Sequence, residues 1–286
     1  MSGPGERARA ARPARGKLAR MVSPRDATDA PGRFTERADD YVRGRPGYPE
    51  PLFDALVEAA RLRPGAWVAD VGAGTGLSSG PLLARGLRVV AVEPDQAMRT
   101  AALARLGARA GFRAVPGTAE ATGLEAASVD LVLAAQAFHW FDPGRARAEF
   151  LRILRPAPGA DPTVALVWNA RRATGTPFLA AYEALLLRFG TDYREVGHRG
   201  VSAERLAGFF GAAPAHRRFE NHQDLDLDGL RARLLSSSYV PAAGRPGHVE
   251  MLAELARIFH AHAAAGRVRI DYDAELYLGR PAPDPA

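Results

Sequence analysis

The sequence predicts an α/β fold: a mostly parallel, seven-stranded sheet with helices on both faces and a helical cap inserted after the fifth strand. Three observations carry this. From about residue 50 to 170, short β-rich runs alternate with apolar stripes at helical spacing, the pattern of βαβ units. The run Ser128-Val-Asp-Leu-Val-Leu-Ala134 is almost wholly apolar, as a strand covered on both sides must be. The run Trp67–Val71 breaks into Gly72, Gly74 and Gly76, and a helical stretch follows, so a strand enters a helix through a turn without side chains.

Taken in order, residues 1–33 are rich in Arg, Ala, Pro and Gly without hydrophobic periodicity, which predicts a disordered basic tail. Residues 34–286 form one domain in this reading. Its core covers about 50–170, the cap about 171–212, and C-terminal strands with a helix cover 213–280. Residues 34–49 bring aromatics and arginines, among them Tyr41 and Arg45, where a lid could form. Pro51 opens a helix whose apolar positions Leu52, Phe53, Leu56, Val57 and Ala60 share one face. Beyond the glycine turn come a helix over 79–84, a strand over 87–92, a helix over 97–106 and a short strand over 113–115. The fourth strand is followed by a helix over 146–154 and a fifth strand over 163–169. Two helices, 178–189 and 203–210, then succeed each other with no strand between them. Strands over 216–227 and 267–279 flank a last helix over 249–265.

The 286 residues carry 38 Lys and Arg against 32 Asp and Glu, a formal charge of +6. Eight of those basic residues and only three of the acids fall within residues 1–33, so the rest of the chain is close to neutral. That placement disfavours a nucleic-acid face on the folded domain. Cysteine is absent, which removes disulfides, thiolate metal sites and cysteine nucleophiles. Lys17 is the only lysine, so the domain has no Schiff-base or P-loop lysine. No apolar run is long enough to cross a bilayer and no hydrophobic signal core follows Met1, so a cytoplasmic protein without membrane contact is expected.

Gly72-x-Gly74-x-Gly76 does not match the dinucleotide spacing, since Leu77 and Ser79 stand where the third glycine would fall. Asp70 at the mouth of the loop repels a pyrophosphate and suits an ammonium. The next strand ends in Glu93, placed to accept from the two hydroxyls of a ribose. A ribose and an ammonium without a phosphate describe S-adenosylmethionine.

Val68-Ala-Asp-Val-Gly-Ala-Gly-Thr-Gly76 with Val90-Ala-Val-Glu-Pro-Asp-Gln-Ala-Met98 resembles motifs I and II of the class I S-adenosylmethionine-dependent methyltransferases. Ala134-Ala-Gln-Ala-Phe-His-Trp-Phe-Asp142 and Phe150-Leu-Arg-Ile-Leu-Arg-Pro156 resemble the small-molecule branch labelled methyltransferase type 11. The resemblance runs from about Phe34 to the C-terminus and implies a Rossmann-like sheet. It also implies cofactor contacts from Tyr41, Arg45, Asp70, Gly72, Ala73, Gly74, Gly76, Glu93, Pro94, Met98 and Gln136. Glu93 would hold the ribose and Met98 would pack on the adenine. Thr118 stands where the family often carries an acid that reads the adenine amino group, so the backbone of Ala119, or Glu120, is expected to serve instead.

The expected activity is transfer of a methyl group to an oxygen of a small molecule, leaving S-adenosylhomocysteine. Nitrogen and carbon acceptors rank behind oxygen. His139 is the candidate base or substrate contact, since a free imidazole titrates near neutrality; its alternative role is a structural hydrogen-bonder in an aromatic wall. Trp140, Asn169, Arg171 and Tyr239 are the remaining candidates for the substrate pocket. An RNA-modifying methyltransferase and a non-catalytic cofactor-binding regulator are the alternatives. A monomer or a homodimer fits. No metal is expected: in Asp224-x-Asp226-x-Asp228-Gly229 the twelfth position is Leu235, not Glu, and His260 and His262 point apart on a helix.

Overall fold

The structure, a computed structural model, describes residues 44–156, 163–191, 193 and 202–282. The basic tail and Tyr41 lie outside the described residues. The described chain begins with α1 (Glu50–Ala59), with Pro51 in its first turn, and enters β1 (Trp67–Val71). There follow α2 (Ser79–Ala84), β2 (Arg88–Val92), α3 (Gln96–Leu106), β3 (Phe112–Val115), β4 (Leu131–Ala135), α4 (Pro143–Ile153) and β5 (Thr163–Arg171). The C-terminal part contributes α5 (Pro177–Phe189), α6 (Ala203–Phe210), β6 (Ala215–Leu225), α7 (Leu227–Leu235), α8 (His248–His262) and β7 (Val268–Gly279).

The seven strands stand in the order β3-β2-β1-β4-β5-β7-β6. The first five are parallel, and β7 inserts antiparallel between β5 and β6. The alternation of side chains along a strand explains the two layers of core. Val68, Val89, Leu131, Leu133, Ala165 and Val167 face α1, α2 and α3, which contribute Leu52, Phe53, Leu56, Leu82 and Leu106. Ala69, Val71, Val90, Val92, Val132, Ala134 and Leu166 face the other way, onto Phe150 and Ile153 of α4 and Phe209 and Phe210 of α6. Both faces are covered, so the central strands have no polar side to show.

A second apolar cluster gathers α5, α7 and α8 with the ends of β6 and β7, through Tyr182, Leu186, Leu230, Leu234, Leu255, Phe259 and Tyr272. The two helices that follow β5 therefore part company. α5 joins this cluster, while the aromatic end of α6 returns to the sheet beside α4.

The expected strand over 216–227 stops at Leu225, and its last two residues do not extend it. The Asp226 side chain accepts from the Gly229 amide and caps α7, a helix the alternation of Leu225 and Leu227 concealed. Of the acidic triplet of that stretch, Asp226 and Asp228 serve the helix start and Asp224 stays in β6. β4 likewise begins later than the apolar run: Asp130 turns away, accepting from the Trp67 amide and from Arg155.

Candidate functional site

The C-terminal ends of β1, β2, β4 and β5 open on one edge of the sheet, where open α/β sheets bind ligands. β1 delivers Asp70 there, wholly buried. Its Oδ2 accepts from the hydroxyls of Ser78 (2.7 Å) and Ser79 (2.6 Å), while Oδ1 has no partner. Ser78 is the N-cap residue of α2, yet its hydroxyl is spent on Asp70 and leaves the helix uncapped. Burial raises the Asp70 pKa to about 6, against the two serine hydrogen bonds, which lower it.

The loop after Asp70 needs its glycines. Gly72, Gly74 and Gly76 all have positive φ, and a Cβ on Gly72 would lie 2.6 Å from that of Ala137. Thr75, at 1% exposure, has a hydroxyl with no partner. The amides of Gly72 and Ala73 hang from the carbonyl of Val92, tying the loop to the end of β2.

Glu93 closes the second side. One carboxylate oxygen accepts from the Gly74 amide at 2.8 Å and the other from the Asp95 amide at 3.0 Å. Burial raises its pKa, those two amides lower it, and the neighbouring Asp95 adds to the rise. The sequence placed Glu93 toward a ribose; the structure shows both its oxygens also bracing the loops on either side. Asp95 caps α3 by accepting from the Met98 amide, which fixes the buried Met98 next to this turn, while Pro94 is exposed. Ala119 is buried, and Glu120 accepts from the Asp142 amide at the start of α4.

β4 is followed by Gln136, which has positive φ although it is not glycine. Such backbone strain persists only where surrounding bonds enforce it. Here the Gln136 amide donates to Val167 O at 2.9 Å, and its Nε2 donates to Asn169 O at 3.2 Å. A single 3₁₀ turn, Phe138–Trp140, then presents His139 beside Trp140, with ring centroids 4.8 Å apart. Arg205 of α6 clamps the turn by donating to the carbonyls of Phe138 (3.2 Å) and Phe141 (2.8 Å).

His139 is exposed to solvent. Desolvation, then the charges of Arg45 and Arg205, lower its pKa, and the solvent at this exposed ring works against the first of these. The ring is neutral at pH 7. It can accept a hydrogen bond there, but it is a weaker base than a free imidazole.

Four candidates are engaged in the fold. Arg45 donates from Nη2 to Ser236 O at 2.9 Å, binding the segment before α1 to the end of α7. Asn169 is buried; its Nδ2 donates to Gly47 O at 2.9 Å and its Oδ1 accepts from Asn221. Arg171, 5% exposed, is ion-paired with Glu183, donates to the Tyr193 hydroxyl at 2.8 Å, and lies 5.2 Å from the Tyr182 ring centroid. It is held within the second cluster, away from open solvent. Tyr239 is buried against Tyr193, with ring centroids 5.0 Å apart, and Ser236 closes α7.

The sequence reading missed Arg233, a fully interior arginine on α7. The available signal was an arginine between Leu230 and Leu234, on the apolar stripe of a helix that had not been recognised.

A family profile described as "Methyltransferase domain" matches residues 69–157. An uncharacterised methyltransferase of Mycobacterium tuberculosis is 47% identical over 138 residues, 48% of this chain and 52% of that protein. An uncharacterised methyltransferase-like protein of Schizosaccharomyces pombe is 33% identical over 160 residues, 56% of this chain and 59% of that protein. The chain thus spans about half the length of the curated relatives it matches. Among solved structures, a chain from Anaeromyxobacter dehalogenans, described as a candidate type II methyltransferase, is 30% identical with a TM-score of 0.64. That match covers 82% of this chain and 97% of the other. The chain belongs to the class I S-adenosylmethionine-dependent methyltransferases. S-adenosylmethionine is the cofactor of that family, and no helix among the described residues is long and apolar enough to cross a membrane.

Proposed function

We propose that this chain transfers the methyl group of S-adenosylmethionine to an oxygen of a small-molecule acceptor. The observation that carries the reading is the unpartnered Oδ1 of Asp70, wholly buried at the mouth of a glycine loop whose neighbouring Thr75 hydroxyl is also unpartnered. A buried carboxylate oxygen left without a donor costs free energy unless a ligand satisfies it. The ammonium of the cofactor's methionine end has the charge and the donors to do so.

When bound, the cofactor supplies an electrophilic methyl on a sulfonium. Asp70 then holds the ammonium, the amides of the 72–76 loop line the backbone side, and Glu93 and Met98 receive the ribose and the adenine. Gln136, fixed in its strained conformation, positions the rim where the acceptor must approach in line with the methyl. Holding the two reactants in that alignment supplies much of the rate in a displacement of this type.

The depressed basicity of His139 bears on the accepting atom. A base whose pKa is lowered by its surroundings draws less well on a phenol or alcohol proton. A carboxylate oxygen has no proton to lose, and His139 can then act as a neutral wall or hydrogen-bond acceptor. A carboxylate acceptor and a neutral wall role for His139 fit together, whereas a phenol or alcohol acceptor needs a base. A cytoplasmic location and action as a monomer or homodimer belong to the same proposal.

Calorimetry with S-adenosylmethionine and with NAD tests the cofactor, and release of S-adenosylhomocysteine over a panel of small acids and phenols tests the acceptor. Binding of NAD in preference to S-adenosylmethionine would overturn the reading. Cofactor binding with turnover on RNA alone would replace the small-molecule acceptor.

A further inference from the structure

Arg233 is 2% exposed, on the buried side of α7. Its Nε donates to the Tyr272 hydroxyl at 3.0 Å and its Nη1 to the Ser237 hydroxyl at 3.1 Å, and its guanidinium lies 6.0 Å from the Tyr272 ring centroid. Both partners are neutral. Among the described residues no carboxylate comes within ion-pair distance of it, and Nη2 has no hydrogen-bond partner. Tyr182 and Tyr239 complete its surroundings; with Tyr272 they hold the guanidinium protonated against the desolvation of the interior, and Tyr182 also faces the buried cation Arg171. Arg171 is already matched by Glu183. Among the described residues, then, Arg171 has an ion-pair partner in Glu183 and Arg233 has none.

An interior charge without a counter-charge is strongly unfavourable. The free edge of a guanidinium fork matches the two oxygens of a carboxylate. The position fits a ligand as well. β5 continues four residues past Val167, the partner of Ala135 at the end of β4, and finishes at Arg171, level with Tyr272 of β7. At about 3.3 Å per residue this rim stands roughly 13 Å beyond the end of β4, on the edge that carries Gln136 and His139. The two places share a wall, because Ser236, adjacent to Ser237, holds Arg45, whose charge is felt at His139.

We infer that Arg233 and Ser237, backed by Tyr272, form a carboxylate-binding subsite on this rim that anchors an acidic acceptor molecule. The anchored carboxylate is distinct from the oxygen that is methylated, so the acceptor carries a second polar group. The inference rests on the small-molecule methyltransferase reading and narrows its substrate class. The competing role is a clamp tying α7 to β7, in which the guanidinium serves only its two hydroxyl partners.

The test uses the full chain and sodium malonate as probe, with sodium chloride at matched ionic strength as the reference. Malonate at tens of millimolar should raise the thermal midpoint saturably beyond the effect of chloride. Arg233→Met should abolish that rise, and Arg233→Lys should weaken the apparent affinity roughly tenfold, since a point charge replaces the fork. In chloride, Arg233→Met should melt no lower than wild type, because a methionine of similar length removes an unmatched charge. S-adenosylmethionine affinity should be equal in all three proteins. If malonate does no more than chloride, or acts equally on the Lys and wild-type proteins and on Ser237→Ala, the subsite is refuted. Should Arg233→Met fail to fold, the Lys and Ala variants decide the matter alone. A malonate effect in a protein that does not bind S-adenosylmethionine would overturn the acceptor role while locating the failure in the cofactor reading.

Discussion

Lowering the pH from 7 to 5 should weaken S-adenosylmethionine binding about tenfold, and Asp70 is the cause. The cofactor's ammonium requires the ionised carboxylate, whereas burial holds the Asp70 pKa at about 6 in the free protein. At pH 7 roughly nine-tenths of Asp70 is ionised and at pH 5 only about a tenth, a difference of about 1.4 kcal/mol in apparent binding free energy. The same shift has a stability consequence of known sign. The folded-state pKa lies above the unfolded value of 3.8. The native state therefore binds the extra proton between about pH 4 and 6, and Asp70 costs the free protein stability above that window. The cost is on the order of 3 kcal/mol, relieved as the pH falls through it. Glu93, also raised by burial, acts in the same direction, and Arg99 opposes it at Glu93. The measurement is titration calorimetry at several pH values on wild type and Asp70→Asn. The variant should bind weakly, with an affinity that no longer follows pH through this range. A wild-type affinity that is flat between pH 5 and 7 would refute the assignment of Asp70 to the ammonium.

Gly72→Ala forces a side chain into a positive-φ position 2.6 Å from the Ala137 Cβ; it should cost about 2 kcal/mol in urea denaturation and weaken cofactor binding. Arg171→Met should lower stability by roughly 2–4 kcal/mol, because Glu183 loses its cation, while leaving S-adenosylmethionine affinity unchanged. An unchanged melting curve with lost turnover would instead place Arg171 against the substrate. His139→Ala should keep cofactor affinity and alter turnover of a carboxylate acceptor by less than about threefold; a loss of a hundredfold or more would restore it as a general base.

Much of this molecule was legible because local chemistry sufficed. Gly72, Gly74 and Gly76 take positive φ, a requirement internal to the turn, and the apolar run before Gln136 has to be a doubly covered strand. Asp70 and Glu93 could be placed by their distance from those glycines along the chain. The helix α7 was hidden because Leu225 and Leu227 carry the period of a strand up to the residue where Asp226 changes the backbone direction.

What the sequence by itself determined is the α/β order of elements, the glycine loop and the family of cofactor, since each rests on residues adjacent in the chain. Only the tertiary structure decided which cations are spoken for. Arg171 and Arg233 are both arginines in apolar surroundings, separated by 62 positions, and nothing local distinguishes them. Among the described residues, folding brings Glu183 to the first and the hydroxyls of Tyr272 and Ser237 to the second. Charge matching in an interior depends on residues distant in sequence, so it becomes readable only once the chain has closed on itself.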